Sequence, residues 1–227
     1  RVVEALRIPT LRVEGVEADD VIASLLARLA GADLEAVVVT ADKDLMQLVG
    51  PSVKLWDTMR DRWTDVAGVQ ARYGVAPEQV SDVLALMGDT SDNVPGVSGI
   101  GEKTAIALVQ AFGSVEGVLD HIDAVAQLSM RGAKSVAAKL SAEADAARLS
   151  KQLVLVRRDV PLTIELDDLR LQSPDPEPTR TLFTELGFES LLRQLVVEAP
   201  ALTVAAQVIE QAAQVAAHFE QARRGGW

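Results

Sequence analysis

Three short acidic groups and one glycine-rich segment carry the residues whose types and spacing could do chemistry. Gly15-Val16-Glu17-Ala18-Asp19-Asp20 puts three acids within four residues. Asp42-Lys43-Asp44 follows the apolar run Ala36-Val37-Val38-Val39, and Gly88-Asp89-Thr90-Ser91-Asp92 follows another apolar stretch. Taken one at a time, each has an ordinary explanation. Glu17, Asp19 and Asp20 suit a helix N-terminus. Asp42 and Asp44 suit a turn, and Asp89 and Asp92 could cap the next segment. Taken together, seven carboxylates on one rim would repel one another strongly unless cations lay between them. A ligand set made only of oxygen suits Mg²⁺ or Mn²⁺ better than zinc. Two such ions can activate a water and stabilise the leaving oxygen of a phosphodiester.

The glycine-rich segment is Gly96-Val97-Ser98-Gly99-Ile100-Gly101-Glu102-Lys103-Thr104-Ala105. Glycines at this spacing let a backbone turn tightly and approach a ligand closely. The helix that follows points free N–H groups at whatever lies there, which favours phosphate. Lys103 and Thr104 add a charge and a hydroxyl. A loose dinucleotide-binding match is weakened by the absence of a preceding strand, since residues 89–95 read as a loop. An ordinary turn between helices would also explain the segment. The reading with more chemistry is a helix-hairpin-helix that grips a DNA backbone without reading its sequence.

The elements that must position these groups alternate at first. Residues 11–13 are a possible short strand. Val21, Ile22, Leu25, Leu26 and Leu29 form a helical stripe over 18–29, stopped by Gly31. Residues 36–40 read as a buried parallel strand, 45–49 as a short helix or turn, and 53–56 as another strand. The acids after these elements would then sit at the carboxyl ends of parallel strands, where ligands bind in open α/β sheets. From Thr64 the signals are nearly all helical. Thr64 is placed as the cap of a helix to Tyr73, and Pro77 in the first turn of one to Met87. Further helices are expected over 102–111, 114–121, 133–140, 141–156 and parts of 179–195, with a strand over 160–166 and a rigid proline loop over 173–178.

Composition limits the function classes. The chain has 227 residues, 48% of them hydrophobic, enough for a core, and only 4% aromatic, which argues against an aromatic stacking platform. It has no cysteine, so disulfides and cysteine zinc sites are excluded. The longest run without a charged residue, 104–115, is too short to span a bilayer. The net charge of −11 is unevenly spread. Residues 1–50 hold nine acids against five Lys and Arg, whereas 93–158 hold eight Lys and Arg against six acids. An acidic front that faced a phosphodiester would need metal ions between them. The chain opens on Arg1 rather than Met and reads as an internal piece of a longer protein.

Four motifs in this order and spacing resemble the 5′ nuclease domain of bacterial DNA polymerase I, in the flap endonuclease family. They are the 15–20 group, Thr40-Ala41-Asp42-Lys43-Asp44, Leu84-Ala85-Leu86-Met87-Gly88-Asp89-Thr90-Ser91-Asp92-Asn93-Val94-Pro95, and the 96–105 segment. Arg131-Gly132-Ala133-Lys134 and Leu149-Ser150 add to the resemblance, which covers about residues 1–197.

The resemblance implies an α/β fold: a PIN-like parallel sheet with flanking helices, followed by a helical helix-hairpin-helix (H3TH) DNA-binding region. Glu17, Asp19 and Asp20 would match acids of a first metal site. Asp42, Asp44, Asp89 and Asp92 would match acids that serve or bridge to a second ion, so two Mg²⁺ or Mn²⁺ ions are implied. Gly99, Gly101, Lys103 and Thr104 would match the hairpin that holds duplex DNA, where family members also bind K⁺ through backbone carbonyls. Arg131 and Lys134 would join that DNA contact. The implied substrate is flapped, nicked or 5′-ended duplex DNA, cut during primer removal and repair by a monomer in the bacterial cytoplasm, at the nucleoid and away from membranes. Residues 1–88 would be the C-terminal part of the nuclease core and 89–197 the hairpin region. Residues 198–202 would be a linker and 203–227 the start of a 3′–5′ exonuclease-like domain. Family members also carry an earlier strand with a metal-binding Asp, a second Asp and a helical arch. Nothing in residues 1–14 matches these, so impaired activity is expected of this chain.

Two rivals remain at this level. An aspartyl phosphatase of the haloacid dehalogenase type would use the strand followed by Asp42-Lys43-Asp44, but Met46 stands where a Thr or Val is expected. A non-catalytic DNA-binding module would use the hairpin alone.

Overall fold

A computed structural model describes residues 1–195. The expected linker and the segment after it lie outside the described residues. In chain order the elements are α1 (Val2–Ala5), α2 (Ala18–Leu29), β1 (Ala36–Val39), β2 (Val53–Asp57), β3 (Arg62–Thr64), α3 (Val66–Tyr73), α4 (Val80–Met87), α5 (Glu102–Phe112), α6 (Val115–Asp120), α7 (Ile122–Val125), α8 (Ala133–Ala142), α9 (Ala144–Val154), α10 (Pro176–Glu185) and α11 (Glu189–Leu195). Short 3₁₀ turns cover Asp44–Leu48, Pro77–Gln79 and Leu166–Leu169. The chain forms two compact units. The larger runs from Leu11 to Asp168. The smaller joins Arg1–Thr10 to the described residues from Leu169 to Leu195. In it, Thr179 Oγ1 donates to the carbonyl of Ala5 at 3.0 Å, and Arg1 pairs with Glu185.

The helical stripe over 18–29 and the strands at 36 and 53 form as the sequence predicts. The sheet itself differs from expectation. β1 and β2 are parallel, in register Val38 opposite Leu55, but β2 turns back through a hairpin into β3, so the sheet is mixed. The turn is closed by Asp57, whose Oδ1 accepts from the amides of Met59 and Arg60 at 3.1 and 3.2 Å. Trp56 and Trp63 stack across the pair at 5.2 Å. Thr64 therefore belongs to a strand, and Asp65 caps α3 by accepting from the Gly68 amide at 2.8 Å. β1 is not fully buried: Val38 faces the core while Val37 and Val39 are exposed.

Two other expected strands do not form. Residues 11–13 and 160–166 find no pairing strand among the described residues. In the second, side chains of α2 take the polar groups a strand would have taken. Ser24 Oγ accepts from the Val160 amide at 3.0 Å, and Arg28 donates to the Leu162 carbonyl at 2.6 Å. The proline loop at 173–178 ends earlier than expected, because α10 begins at Pro176. Prolines in a first turn lack only amides that the helix leaves unpaired.

α4 is the centre of the larger unit. Its residues from Val80 to Leu86 are all buried, between α5 on one side and α9 on the other. Two of them, Ser81 and Asp82, are polar. Lys151 of α9 satisfies both, reaching Asp82 Oδ2 at 2.7 Å and Ser81 Oγ at 2.8 Å, and Asp82 Oδ1 accepts from the Val115 amide at 2.9 Å. A buried charge is tolerated only when paired and hydrogen-bonded in this way.

After α4 the chain makes a closed loop. Asp89 and Val94 exchange both backbone hydrogen bonds, at 3.0 and 2.8 Å. Gly88 and Gly96 then pack backbone to backbone. A Cβ on Gly96, which has φ of +63°, would stand 2.5 Å from the Gly88 nitrogen. At Gly101 a Cβ would meet open space. Gly96→Ala should therefore lower stability by about 2–4 kcal/mol, and Gly101→Ala by less than about 1 kcal/mol. Urea unfolding of the two variants checks this, and equal losses would contradict it.

Candidate functional site

The acids reach one place from three loops. Glu17 is the residue before α2 and makes no capping hydrogen bond with its side chain. Asp19 and Asp20 lie in the first turn. Asp42 and Asp44 follow β1 at its carboxyl end, and Asp92 lies in the loop closed by Asp89 and Val94. Glu17, Asp19, Asp20, Asp42, Asp44 and Asp92 all line one cleft of about 410 Å³. Its other wall is Val94 with residues 152–157 at the end of α9.

The local chemistry explains how each acid is held. The Asp42 amide donates to Thr40 Oγ1 and the Asp44 amide to Asp42 Oδ1, both at 2.9 Å, so the turn after β1 is built by its own side chains. Asp20 Oδ1 accepts from the Arg157 amide at 2.8 Å. The turn role read from sequence is thus present for Asp42, whereas the Asp20 side chain is held by a long-range bond instead, and both line the cleft.

The electrostatics are those of crowded anions. Burial, then Asp42, and more weakly Asp92 and Asp89, push the Asp44 carboxyl up to about 6, against the lowering effect of Lys43. Burial raises Asp19 as well, helped by Asp42, Glu17, Asp20 and Asp92. Asp44 Oδ1 is buried without a hydrogen-bond partner among the described residues. An orphaned carboxylate oxygen among like charges suits a hard cation. The residues therefore fit divalent metal, although among the described residues no three acids stand in an arrangement that already would hold an ion.

Asp89 stands apart from the other six. It is buried, pairs with Lys43, and accepts from the amide (2.8 Å) and the hydroxyl of Ser91. The Lys43 ammonium and Ser91 pull its carboxyl down to about 2. Lys43, set between two acids in the sequence, is thus committed to a third.

The hairpin residues form a tight turn that leads into α5. Val97 and Ile100 are buried and anchor the turn, and Gly99 has φ of +72°. The amides of Thr104 and Ala105 both donate to the Gly101 carbonyl at 3.0 Å, starting α5. Gly99, Gly101 and Lys103 are exposed, and Thr104 is half-buried. Glu102 is neutralised by a bidentate bond from Arg72, at 2.7 and 3.0 Å. Lys139 of α8 lies over Gly99. Arg131 and Lys134 are exposed on either side of Gly132, which is in the left-handed conformation just before α8. Sequence reasoning missed the wall at 152–157 and Lys139. Neither has a local signal: they matter through the fold, not through spacing to a motif.

The Asp44 shift has a stability consequence. Its carboxyl is protonated more readily in the fold than in the unfolded chain, so the penalty is absent below about pH 4 and complete above about pH 6. Metal-free protein should lose stability as pH rises through this window. Asp44→Asn should remove that loss, worth about 1 kcal/mol at neutral pH once partial solvent screening is allowed for. Chemical denaturation in chelator at several pH values tests it, and an unchanged profile in the variant would contradict it.

Residues 1–74 match the family model described as the 5′-3′ exonuclease N-terminal resolvase-like domain, and residues 75–177 the 5′-3′ exonuclease C-terminal SAM fold. DNA polymerase I of Pseudomonas aeruginosa is 46% identical over 198 residues, covering 87% of this chain and 22% of that protein. A 5′-3′ exonuclease of Buchnera aphidicola is 35% identical over 172 residues, covering 76% of this chain and 60% of that one. The chain thus spans about a fifth of the polymerases it matches. Bacteriophage T5 5′-exonuclease, solved with bound zinc, shares the fold at a TM-score of 0.56 and 23% identity, over 83% of this chain and 62% of that one. The catalytic core of Rad2 in complex with DNA substrate does so at 0.55 and 17%, over 86% and 65%. A resolvase-like part over residues 1–74, followed without a break by a SAM-fold part over 75–177, is the organisation the two family models describe, the acidic cleft drawing residues from both, and the chain belongs to the 5′-3′ exonuclease family.

Proposed function

We propose that this chain is the metal-dependent 5′–3′ exonuclease and 5′ flap endonuclease part of a DNA polymerase I, removing primers and flaps in replication and repair. One observation carries the reading: six carboxylates share a single cleft, and the loop bearing Asp92 leads directly into the exposed glycine hairpin. The acids supply oxygen ligands, with the unpartnered Asp44 Oδ1 the most available of them. Two bound Mg²⁺ or Mn²⁺ ions would supply Lewis-acid stabilisation and activation of water there. Glu17, Asp19 and Asp20 come from the start of α2, and Asp42, Asp44 and Asp92 from the loops after β1 and α4. Asp89, tied to Lys43, completes the set of seven only if that pair opens. The hairpin at Gly99 and Gly101, with Lys103, Thr104, Arg131 and Lys134, holds duplex DNA by its phosphates, and its backbone carbonyls offer a place for K⁺. The substrate class is flapped, nicked or 5′-ended duplex, bound by a monomer in the bacterial cytoplasm. Residues 1–88 then serve as nuclease core and 89–197 as the DNA-gripping region.

A second reading has an observation in its favour. Because no three acids are already drawn into a metal-holding arrangement among the described residues, the chain by itself could bind structured DNA without cutting it. Cleavage of a 5′-flapped duplex with and without Mg²⁺ separates the two.

Two outcomes are expected. Mn²⁺ or Mg²⁺ should raise the melting temperature by binding only the folded form, and Asp42→Asn with Asp44→Asn should raise metal-free stability and abolish that response. A full metal response in the double variant would exclude this cleft as the site. DNA binding should fall steeply with salt and ignore sequence, and Lys103→Ala should reduce the salt slope by about one unit. Sequence-selective weakening in fluorescence anisotropy would contradict a backbone grip.

A further inference from the structure

The cleft that holds the acids is also lined by a cation that the resemblance did not assign. Arg157 is the only Lys or Arg among the residues lining the cleft. Its backbone is fixed by unusual means. Residues 154–160 have no strand neighbour among the described residues, and two buried polar side chains hold them instead. Gln47 Nε2 donates to the Val154 carbonyl at 2.8 Å, and Gln47 Oε1 accepts from the Val156 amide at 3.3 Å. Ser24 Oγ donates to the Arg157 carbonyl at 3.2 Å and accepts from the Val160 amide at 3.0 Å. The Arg157 amide donates to Asp20 Oδ1, which ties this segment directly to the acidic cluster.

The side chain is left comparatively free. Arg157 lines the same cleft as six carboxylates, yet its side-chain ion pair is with Asp159 outside that set, through Nε at 3.3 Å. The side chain is 55% exposed. Both terminal amino groups therefore remain available for the planar, two-pronged contact that guanidinium makes with phosphate. Leu153 and Leu155 flank it on the same wall, 55% and 49% exposed. Apolar neighbours lower the local dielectric and strengthen a charge-assisted bond.

We propose that Arg157 is a substrate-positioning residue: it binds a phosphate of the DNA strand entering the acidic cleft, while Leu153 and Leu155 lie against the adjoining nucleoside. The assignment rests on the nuclease reading above and adds to it a contact separate from the glycine hairpin. It also supplies something that reading lacks. A polyanion must approach a wall of carboxylates, and a cation lining the same cleft gives one phosphate a favourable place before hydrolysis.

The test is equilibrium binding of a 5′-flapped duplex, with a phosphorothioate at the junction and Ca²⁺ as the only divalent ion. The unsubstituted chain is compared with Arg157→Ala, Arg157→Lys and Lys103→Ala. Arg157→Ala should weaken binding by about 10-fold and reduce the salt slope by about one unit, and Arg157→Lys should recover part of the affinity. The melting temperature should change by no more than about 2 °C, because the bond to Asp20 comes from the backbone amide. Mn²⁺ affinity, read by electron paramagnetic resonance, should hold or tighten when a cation leaves the cleft. Unchanged DNA affinity in Arg157→Ala, alongside weakened binding in Lys103→Ala, would overturn the Arg157 assignment alone. Weaker Mn²⁺ binding together with a lower melting temperature would also overturn it, making Arg157 a structural support. If Arg157→Ala does not fold, Arg157→Gln takes its place with the same expected outcomes. Absence of DNA binding by the unsubstituted chain would overturn the nuclease reading, and this inference with it.

Discussion

Six carboxylates in one cleft repel each other, so nothing in the cluster itself can hold it together. The arrangement exists because bonds elsewhere are strong enough to impose it. The signature of that strain is Asp44, raised to about 6 by burial and by Asp42, with one oxygen left unpartnered. Stability and function pull in opposite directions here. A cation would relieve the repulsion and complete the oxygen's bonding, which is why a site of this kind is stable only marginally until it is filled.

The bonds that impose the arrangement are mostly buried polar ones. Lys151, paired with Asp82 and Ser81, locks α9 to the central helix α4 and so fixes the wall facing the acids. Gln47 and Ser24 hold the segment after α9 where a neighbouring strand would otherwise be needed. Backbone hydrogen bonds between Asp89 and Val94, and the close packing of Gly88 on Gly96, set the loop that carries Asp92. Each of these groups would be costly to leave unsatisfied, so each constrains position tightly. Apolar packing supplies the bulk of the stability, but it could not place a carboxylate this definitely.

Asp89 shows how the same physics sorts like residues into different roles. It follows α4 directly, lies buried, and meets Lys43 before it meets the cleft. A buried anion takes the nearest cation. Asp92, three residues on and exposed, has no such partner and faces the cleft. The charged residue between Asp42 and Asp44 thus compensates one acid while leaving the others to an external cation.

Much of this was legible in the sequence. The apolar stripe of α2, the valine run of β1 and the glycines before α5 encode local structure directly, because period and backbone freedom act within a few residues. The acidic groups and the hairpin could be read as chemistry because their residue types admit few uses in combination. Strand pairing could not be read in the same way. Residues 11–13 and 160–166 have strand-like composition, but a strand exists only if another lies beside it, and β3 was hidden because its partner is supplied by a hairpin turn around Asp57. Which acids share the cleft was likewise decided only by the tertiary structure. Asp89 and Asp92 look alike in sequence, and only folding brings Lys43 to one of them. Arg157 carries no local mark at all. It faces the acids because Gln47 and Ser24, more than a hundred residues earlier in the chain, hold its backbone there, and contacts at that separation leave no pattern in neighbouring residues.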